Sequence, residues 1–383
     1  MRVPRGASLT ARPDPLRHLI AELDDLAARE LRRERVAPAA GRLVLCSNDY
    51  LGYASTGRLG AVPEGIASGC GASRLVAGEH DAHLGLEGAL CRWLGTDAAL
   101  VFTSGYAANV GLLSALAGPG DLVVSDALNH ASIVDGCRLS RATVVVVPHL
   151  RPEAVRDAFR ASTARRRFVV TESYFSMDGD CADLGALREV CDAYDAALLV
   201  DEAHALGVFG PAGRGRCAEL GVRPDALVGT FGKALGAGGA FVAGSAPLVD
   251  WLWNRARSFV FSTGLSPAVA SLAARGVQLA EGDEAGRASL EQVAGALREI
   301  LREVGAPLAR STGPILPVVL GDAGGALRAA RALADLGVHV QAIRAPTVPA
   351  GSARLRVTAS AVLGADGLER ARRAFVSAFR ASP

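Results

Sequence analysis

The run Leu198-Leu199-Val200-Asp201-Glu202-Ala203-His204 decides how this chain folds. Three apolar residues that end in an acid are typical of a buried strand in a parallel sheet, because such strands are covered on both faces. Functional groups in open α/β sheets gather at the carboxyl ends of the strands. Asp201 is therefore predicted to lie at the sheet edge where a site would form, with His204 three residues further on.

The same pattern recurs on both sides of this run, from about Asn48 to Leu279. Short apolar segments alternate with helical periods, such as residues 153–162 and 184–194. This alternation favours an α/β domain with helices on both faces of a mostly parallel sheet. The pattern predicts seven strands, over Ala99–Thr103, Leu122–Ser125, Thr143–Val147, Phe168–Thr171, Ala197–Asp201, Leu227–Thr230 and Ala240–Ala243.

The sequence predicts three segments: an N-terminal helical segment (1–47), a large domain (48–281) and a small α+β C-terminal domain (282–383). The polar, glycine-flanked run 282–286 separates the two domains. Predicted elements outside the large domain are a helix over Leu16–Arg35, a strand over Leu43–Leu45, helices over Leu290–Val304, Ala326–Leu336 and about Asp366–Phe379, and strands over Ile315–Leu320, Val338–Ile343 and Arg354–Thr358.

All but one of the 41 basic residues are arginine, and the exception is Lys233. Lysine can lose its proton and act as an amine nucleophile, whereas arginine does neither in a protein. Codon bias accounts for the scarcity of lysine but not for the place of this one, just past a predicted strand end in the glycine-rich run 229–239. An exposed lysine in a turn is the structural alternative. A functional amine is favoured, because small neighbours let a ligand approach closely.

Composition excludes several classes of protein. Hydrophobic residues make up 50% and charged residues 21%, as in globular proteins. A net charge of +2 with 5% aromatic residues predicts no nucleic-acid partner. No apolar run reaches the roughly 18 residues of a membrane span, and residues 1–15 lack the apolar core of a secretion signal. Seven cysteines without a C-x-x-C pair predict reduced thiols and no metal site. We expect a cytoplasmic enzyme.

Three interpretations of Asp201–His204 compete. The acid is a helix cap, or the D-E-A-H letters belong to a nucleotide triphosphatase, which requires an upstream phosphate loop ending in Gly-Lys-Ser/Thr. Gly232-Lys233 lies downstream and is followed by Ala234, so the second interpretation fails. The third is pyridoxal phosphate (PLP) chemistry, in which a buried carboxylate keeps the pyridine nitrogen protonated and a lysine binds the aldehyde. Asp201 and Lys233 would then face one ring from two strand ends.

A cofactor with a phosphate needs a pocket, and Phe102–Asn109 offers a strand end, a small-residue turn and a helix start. Free amides at a helix N-terminus bind phosphate. The run Asp126–Ser132 follows another predicted strand and contains His130. This histidine is either a capping or core residue or a flat ring that stacks on the cofactor.

These residues together resemble the α-oxoamine synthases, fold-type-I PLP enzymes that join an amino acid to an acyl-CoA with loss of carbon dioxide. The resemblance runs in the expected order over nearly the whole chain from Ala28, and it implies the fold of a fold-type-I PLP-dependent transferase. The matching motifs are Ser47–Gly52, Gly69–Gly78, Thr103–Asn109, Asn129–Gly136, Thr171–Asp180, Asp201–Gly207, Gly229–Gly236 and Phe261–Thr263.

The resemblance also implies roles for single residues. Lys233 would carry PLP and later move the α-proton, Asp201 would hold the pyridine nitrogen, and His130 would stack on the ring. Other implied cofactor contacts are Ser176 and His204 at the ring hydroxyl, Ser104, Gly105, Tyr106 and Thr230 at the phosphate, and Ser262 and Thr263, which resemble a hydroxyl pair that reaches the phosphate of the neighbouring subunit. The last pair implies a homodimer with a composite active site.

Substrate contacts implied by the resemblance are Arg356 at the amino-acid carboxylate, with Asn48, Arg32 and Thr347 as further candidates. Arg32 lies in an arginine-rich helix, where a solvated basic face is the alternative. The run 342–356 resembles the branch of the family that serves biotin synthesis, which implies L-alanine and pimeloyl-CoA, or pimeloyl on a carrier protein, as substrates.

Two departures from the family pattern bear on the substrate. Ala361-Val362 stands where the family has Ala-His, and the stretch between Asn48 and Gly69 is several residues short. Two alternatives therefore stay open: a glycine C-acetyltransferase, which shares every cofactor residue, and a non-catalytic PLP-binding partner subunit.

Overall fold

Strands and helices alternate through the middle of the chain in the computed structural model, which describes residues 14–35, 37 and 39–380. The strands are β1 Leu43–Val44, β2 Ala98–Phe102, β3 Leu122–Asp126, β4 Thr143–Val147, β5 Arg167–Glu172, β6 Ala196–Asp201, β7 Ala226–Thr230, β8 Ala240–Gly244, β9 Ile315–Gly321, β10 Val338–His339, β11 Gln341–Ile343 and β12 Ala353–Thr358. The α-helices are α1 His18–Ala28, α2 Asp81–Leu94, α3 Gly105–Leu116, α4 Ala131–Ser140, α5 Pro152–Arg160, α6 Leu184–Ala193, α7 Gly215–Glu219, α8 Ala246–Arg255, α9 Arg257–Val260, α10 Pro267–Gly282, α11 Glu284–Glu303, α12 Ala323–Asp335 and α13 Ala365–Arg380.

Seven strands form one sheet in the order β2-β8-β7-β6-β5-β3-β4. All neighbouring pairs are parallel except those of β8, which is antiparallel to both β2 and β7. The predicted mostly parallel seven-stranded sheet is confirmed, and each strand end lies within one residue of its prediction. Because β3, β5, β6 and β7 run in one direction, their carboxyl ends meet at one edge of the sheet.

The C-terminal part of the chain forms an antiparallel sheet in the order β11-β12-β9, and β1 pairs with β10 in a separate parallel pair. The single strand predicted over Val338–Ile343 is therefore wrong in one respect: it divides at Val340. Its first half pairs with β1 and its second half with β12. The apolar pattern of residues 338–343 is continuous, but its two halves pair with different strands, and the strand is interrupted between them.

The arginine-rich helix is shorter than the predicted range Leu16–Arg35. α1 ends at Ala28, and Glu30 takes the left-handed conformation (φ 57°) that commonly follows a helix end. The amides of Leu31 and Arg32 both donate to the carbonyl of Leu26, at 2.8 and 3.0 Å.

The predicted break at 282–286 is reduced to Asp283, which caps α11. The three-part division of the chain stays a prediction, and residues 1–13 and 381–383 lie outside the described residues.

Two successive acids at the end of β6 bind different partners. The carboxylate of Asp201 lies at the sheet edge, while Glu202 is wholly buried and anchors the first turn of α7. Glu202 accepts hydrogen bonds from the Ser173 hydroxyl (3.0 Å) and from the amides of Arg216 (3.0 Å) and Cys217 (2.6 Å). Three donors offset the cost of burying this carboxyl group.

A histidine clamp joins the ends of β3 and β4 to the loop that carries Ser176. His149 bonds Asp126 through Nδ1 (2.8 Å) and Asp180 through Nε2 (3.1 Å), and its ring meets Phe175 edge-on with the centroids 4.5 Å apart. Burial lowers the pKa of His149, but the hydrogen bonds and charges of the two carboxylates outweigh burial and raise it to about 9. At neutral pH the clamp is therefore an imidazolium between two carboxylates.

The clamp predicts how the free energy of unfolding depends on pH. Because the folded pKa of His149 exceeds its unfolded value, the clamp stabilises fully below about pH 6.5 and is lost as pH rises through about 9. The stability difference between the wild type and His149→Gln, measured by urea unfolding, should fall by about 2–3 kcal/mol between pH 6 and pH 10. The exposed His18→Gln variant is the control and should track the wild type. A pH-independent difference for His149→Gln would contradict the clamp.

Candidate active site

Two buried acids end neighbouring strands at the edge of the sheet. Glu172 of β5 and Asp201 of β6 are partners in the parallel register, and only 4% and 7% of their surfaces are exposed. Neighbouring strands lie about 4.8 Å apart, so the two acids share one environment. Sequence analysis named Asp201 but missed Glu172, because no local signal says which strands become neighbours.

Both oxygens of Asp201 are held by donors. The Asn109 side-chain Nδ2 in α3 donates to Oδ2 at 2.7 Å, and the Ala203 amide donates to Oδ1 at 2.8 Å. The same Nδ2 donates to the Ser132 hydroxyl at 3.0 Å. This arrangement fixes the orientation of the carboxylate, and it gives Asn109 a place that the sequence motif alone did not assign.

Glu172, the second acid of the pair, is held by a different donor, the amide of His130. Burial and then the charge of Asp201 raise the pKa of Glu172 far above its ordinary value, although Lys233 and the amide of His130 oppose this. The His130 amide donates to Oε1 at 2.7 Å. The amide of Glu172 donates to Oδ1 of Asn129 at 3.2 Å, so a second asparagine fixes the backbone here.

Lys233 follows β7 and is half-buried. Burial lowers the pKa of its amine below the ordinary value, the charges of Asp201 and Glu172 oppose this, and the Arg356 guanidinium lowers it further. The net direction is downward. A lysine with a lowered pKa is available as a free amine nearer neutral pH, both as a nucleophile and as a base.

His130 caps α4 next to this pair of acids. Its Nδ1 lies 3.2 Å from the Ser132 amide and 2.7 Å from the Ser132 hydroxyl. An amide can only donate, so Nδ1 accepts and the neutral ring carries its proton on Nε2. Desolvation of the ring lowers the pKa of His130, against the charge of Asp201. The ring is therefore neutral at physiological pH, as a stacking partner would be.

Arg356 of β12 is buried (4% exposed) and is held by three acceptors. Its Nε donates to the Ser176 carbonyl (2.5 Å), Nη1 to Asn48 Oδ1 (2.9 Å) and Nη2 to the Tyr50 hydroxyl (3.3 Å). A guanidinium has five N–H groups, so these contacts leave two for an anionic ligand. Sequence analysis predicted Arg356 and Asn48 but missed Tyr50.

The Tyr50 hydroxyl also lies 2.8 Å from Nδ1 of the buried His204. Burial, and then the charges of Lys233 and Arg356, lower the pKa of His204 well below its ordinary value. His204 is therefore neutral. His204 is connected to Arg356 through the Tyr50 hydroxyl, and Ser176 is connected to Arg356 through its backbone carbonyl. The two residues predicted to bond the ring hydroxyl of the cofactor therefore belong to one network of hydrogen bonds.

The predicted phosphate residues surround the start of α3. Ser104 caps this twelve-residue helix and accepts from the Ala107 amide at 3.1 Å. A Cβ built at Gly105 would meet nothing within 4 Å, so there is open space at the helix N-terminus. Tyr106 is half-exposed, and its hydroxyl donates to Asp135 at 2.5 Å. At the end of β7, the Thr230 hydroxyl donates to the Gly239 carbonyl at 3.0 Å and accepts from the Gly232 amide at 3.2 Å.

Ser262 and Thr263 lie at the surface, beyond α9. Ser262 is half-buried and Thr263 is exposed, and the Ser262 hydroxyl donates to the Thr263 carbonyl at 3.3 Å. Both residues line a small cavity with Thr103, immediately before the Ser104 cap. Their predicted reach into a neighbouring subunit stays a prediction.

The acyl-end candidates lie at the exposed side of the C-terminal sheet. Thr347 accepts a hydrogen bond at 3.1 Å from Nη2 of Arg33, the neighbour of Arg32. Arg32 is exposed on the segment after α1. Val362 stands where the family pattern has a histidine. Its side chain packs so closely against Gly52 that a Cβ on Gly52 would lie 2.4 Å from the Val362 Cγ1. Gly52, at φ 72°, makes room for it.

The residues present fit PLP. The chain supplies a buried carboxylate, a primary amine with a lowered pKa, a neutral imidazole, and a helix N-terminus with open space. Within the described ranges no group of three His, Cys, Asp or Glu side chains could hold a metal ion. Nor does any helix in the described part of the chain have the length and apolar character to cross a membrane.

Known proteins are similar to this chain in sequence and in fold. A family model described as aminotransferase class I and II matches residues 41–375. The 8-amino-7-oxononanoate synthase of Aromatoleum aromaticum is 46% identical over 373 residues, which are 93% of this chain and 96% of that protein. The synthase of the same name from Geobacter sulfurreducens is 48% identical over 344 residues, 87% and 88% of the two chains.

Two solved structures are similar over most of their length. A serine palmitoyltransferase from S. paucimobilis with bound PLP–myriocin has a TM-score of 0.88 and 31% identity, covering 96% of this chain and 98% of that one. The 8-amino-7-oxononanoate synthase of Francisella tularensis has a TM-score of 0.76 and 26% identity, covering 88% and 98%.

The site predicts the titration of the single lysine. Apoprotein labelled with ¹³C-lysine should give one lysine signal, with its midpoint below the ordinary 10.5. Asp201→Asn removes a charge that raises this pKa and should lower the midpoint. Arg356→Gln removes a charge that lowers it and should raise the midpoint. Arg354→Gln, another buried arginine of β12, is the matched control and should leave it unchanged. A midpoint at or above 10.5 would contradict the site electrostatics.

Proposed function

Because this chain belongs to the aminotransferase class I and II family and, within it, to the α-oxoamine synthases, we propose that it joins L-alanine to a pimeloyl thioester. The products are 8-amino-7-oxononanoate, carbon dioxide and the free thiol of CoA or of a carrier protein. The observation that carries this proposal is the only lysine of the chain, which follows β7 at the edge of the sheet where Asp201 ends β6. Burial lowers the pKa of its amine against the charges of Asp201 and Glu172. The choice of substrates rests on the named synthases at 46–48% identity.

The cofactor is PLP, which when bound supplies an electron sink for a carbanion next to the amino group of the substrate. Asp201 would hold the pyridine nitrogen through the carboxylate that Asn109 and Ala203 orient. His130 would stack on the ring. The amides of Gly105 and Tyr106, with Ser104 and Thr230, would bind the phosphate in the open space at the start of α3.

Lys233 would bind the aldehyde of the cofactor and later remove the proton from Cα of the amino acid. Its ordinary pKa near 10.4 would leave little free amine at neutral pH, so the lowering by burial is what makes it an effective base. The opposing charges of Asp201 and Glu172 keep that lowering moderate. Arg cannot replace this residue, because its guanidinium stays protonated.

Arg356 would bind the carboxylate of the amino acid with the two N–H groups that its three acceptors leave. Those acceptors, the Ser176 carbonyl, Asn48 and Tyr50, hold the guanidinium in one orientation. Pre-orientation by buried neighbours is what a substrate-positioning arginine needs, because bidentate recognition of a carboxylate depends on the plane of the guanidinium. Thr347 and Arg32 would lie towards the acyl chain.

We further propose a homodimer in which Ser262 and Thr263 reach the phosphate of the neighbouring subunit. Support comes from exposed apolar side chains on two segments that the Gly264 amide joins by donating to the Ala72 carbonyl at 3.0 Å: Phe261 is 72% exposed and Val76 is 80% exposed. Large apolar side chains clustered at a surface commonly mark an interface between chains.

The substrate proposal predicts a pattern of carbon dioxide release over alanine, glycine and serine, each with pimeloyl-CoA or acetyl-CoA. Release should be fastest with alanine and pimeloyl-CoA, and Lys233→Ala should lower it by about 10²–10⁴-fold or more. Borohydride reduction followed by peptide mapping should place the reduced cofactor on Lys233. Turnover with glycine and acetyl-CoA alone would instead identify a glycine C-acetyltransferase, and a cofactor spectrum that no amino acid changes would identify a non-catalytic subunit.

The composite site predicts complementation between two inactive variants. Lys233→Ala and the double variant Ser262→Ala/Thr263→Ala should each have low activity alone. After mixed refolding, hybrid dimers contain one site with both defects and one intact site, so activity should return to about a quarter of wild type. A site built within one chain would give no recovery on mixing, which would contradict the shared site but not the chemistry.

A further inference from the structure

A continuous chain of hydrogen bonds connects two residues on which the proposed function depends. Asp201 Oδ2 accepts from Asn109 Nδ2 (2.7 Å), the same nitrogen donates to Ser132 Oγ (3.0 Å), and Ser132 Oγ lies 2.7 Å from His130 Nδ1. Asn109 and Ser132 are almost wholly buried, at 2% and 0% exposed. Neither residue is assigned a role by the motif that contains it.

The direction of each bond follows from the chemistry of the groups. A carboxylate only accepts, so the amide nitrogen of Asn109, not its oxygen, faces Asp201. That nitrogen has two N–H groups, and the second one points to Ser132. The Ser132 oxygen accepts from Asn109. Because Nδ1 of His130 accepts from the Ser132 amide and carries no proton, the Ser132 hydroxyl donates to Nδ1. The carboxylate of Asp201 fixes the direction of the first bond, and the Ser132 amide, which donates to Nδ1, fixes the direction of the last.

We propose that Asn109 and Ser132 are positioning residues that join the carboxylate facing the pyridine nitrogen to the imidazole facing the ring. Asn109 fixes Asp201, and through Ser132 it fixes the ring plane of His130 with the proton on Nε2. The inference rests on the proposed function only in that a flat cofactor lies against both residues. Under this proposal the orientations of the Asp201 carboxylate and of the His130 ring are coupled and do not vary independently.

The surroundings separate this role from ordinary packing. Asn129 is also buried, but its Nδ2 donates to the Val170 carbonyl (2.8 Å) and to Ser125 (2.9 Å), so it anchors strands. Asn109 makes no such backbone contact through Nδ2: both of its bonds go to side chains of the site. An amide that serves only to hold α3 against the sheet would not need two acceptors at functional side chains.

The test is a double-mutant cycle on the holoenzyme with Ser132→Ala, Asn109→Ala and both together. The readouts are the dissociation constant of PLP, the absorbance of bound PLP across pH, and kcat and KM for the amino acid. Matched controls are Ser140→Ala, a buried serine of the same helix whose hydroxyl donates to the Cys137 carbonyl and accepts from the Ala142 amide, and Ser114→Ala in α3, whose hydroxyl donates to the Val110 carbonyl.

We expect Asn109→Ala and Ser132→Ala each to weaken PLP binding about tenfold and to lower kcat more than KM changes, because each substitution disconnects the His130 ring from the Asp201 carboxylate. The double variant should be no worse than Asn109→Ala alone, since breaking the first link already disconnects the second. The two control variants should stay within about twofold of the wild type.

Two results would overturn the proposal. One is a double variant whose loss of PLP affinity equals the product of the two single losses, because independent contacts behave that way. The other is a Ser132→Ala variant indistinguishable from Ser140→Ala, and this comparison holds even if Asn109→Ala does not fold. Affinity and absorbance are measured without turnover, so an error in the proposed substrates would leave this test intact.

Discussion

Two acids buried side by side are the constraint on which the rest of the site depends. Glu172 and Asp201 are fixed as neighbours by the register of β5 and β6. Burying a carboxylate is costly unless donors and opposite charges compensate, and two like charges in one place raise that cost. The donors are Asn109, Ala203 and the amide of His130, and the opposite charge is that of Lys233. Removing either acid would change the electrostatic environment of the other acid and of Lys233.

The reactivity of the amine is set by this balance and not by any single neighbour. Burial lowers the pKa of the Lys233 amine, and the charges of Asp201 and Glu172 raise it. Arg356 shifts the balance towards the free amine and is itself fixed by uncharged acceptors. The same guanidinium therefore tunes the base and offers a place for the substrate carboxylate, which links binding of an anion to the proton affinity of Lys233.

The strands of the large domain were predictable from sequence, because each is a short apolar run between polar segments. The neighbours of each strand were not, and Glu172 was missed for that reason: its role follows from pairing with β6. β10 and β11 show the same limit, since one apolar run serves two sheets. The contact of Arg33 with Thr347 was not predicted, because α1 ends at Ala28 and side-chain directions beyond a helix end do not follow from the helical period.

Rarity proved more informative than periodicity for the site itself. The chain has a single lysine and four asparagines, and three of those asparagines (Asn48, Asn109, Asn129) contact Arg356, Asp201 and the backbone of Glu172. Composition marks such positions because a residue type that is scarce elsewhere persists where its chemistry has no substitute. Tyr50 gave no comparable signal, since a tyrosine in a polar run is as often a surface residue.

The two successive acids at the end of β6 have a consequence for how this sequence can vary. Asp201 belongs to the site and Glu202 to a structural anchor, and only the one-residue alternation of the strand separates them. Deletion of a single residue within β6 would move Glu202 to the place of Asp201 and Ala203 to the place of Glu202, leaving the anchor's three donors without an acceptor and a longer side chain at the sheet edge. Insertion of a single residue would instead move Asp201 to the anchor and leave the site without its acid. Length changes in evolution or engineering should therefore be tolerated in the loops on either side of this strand but not within its six residues.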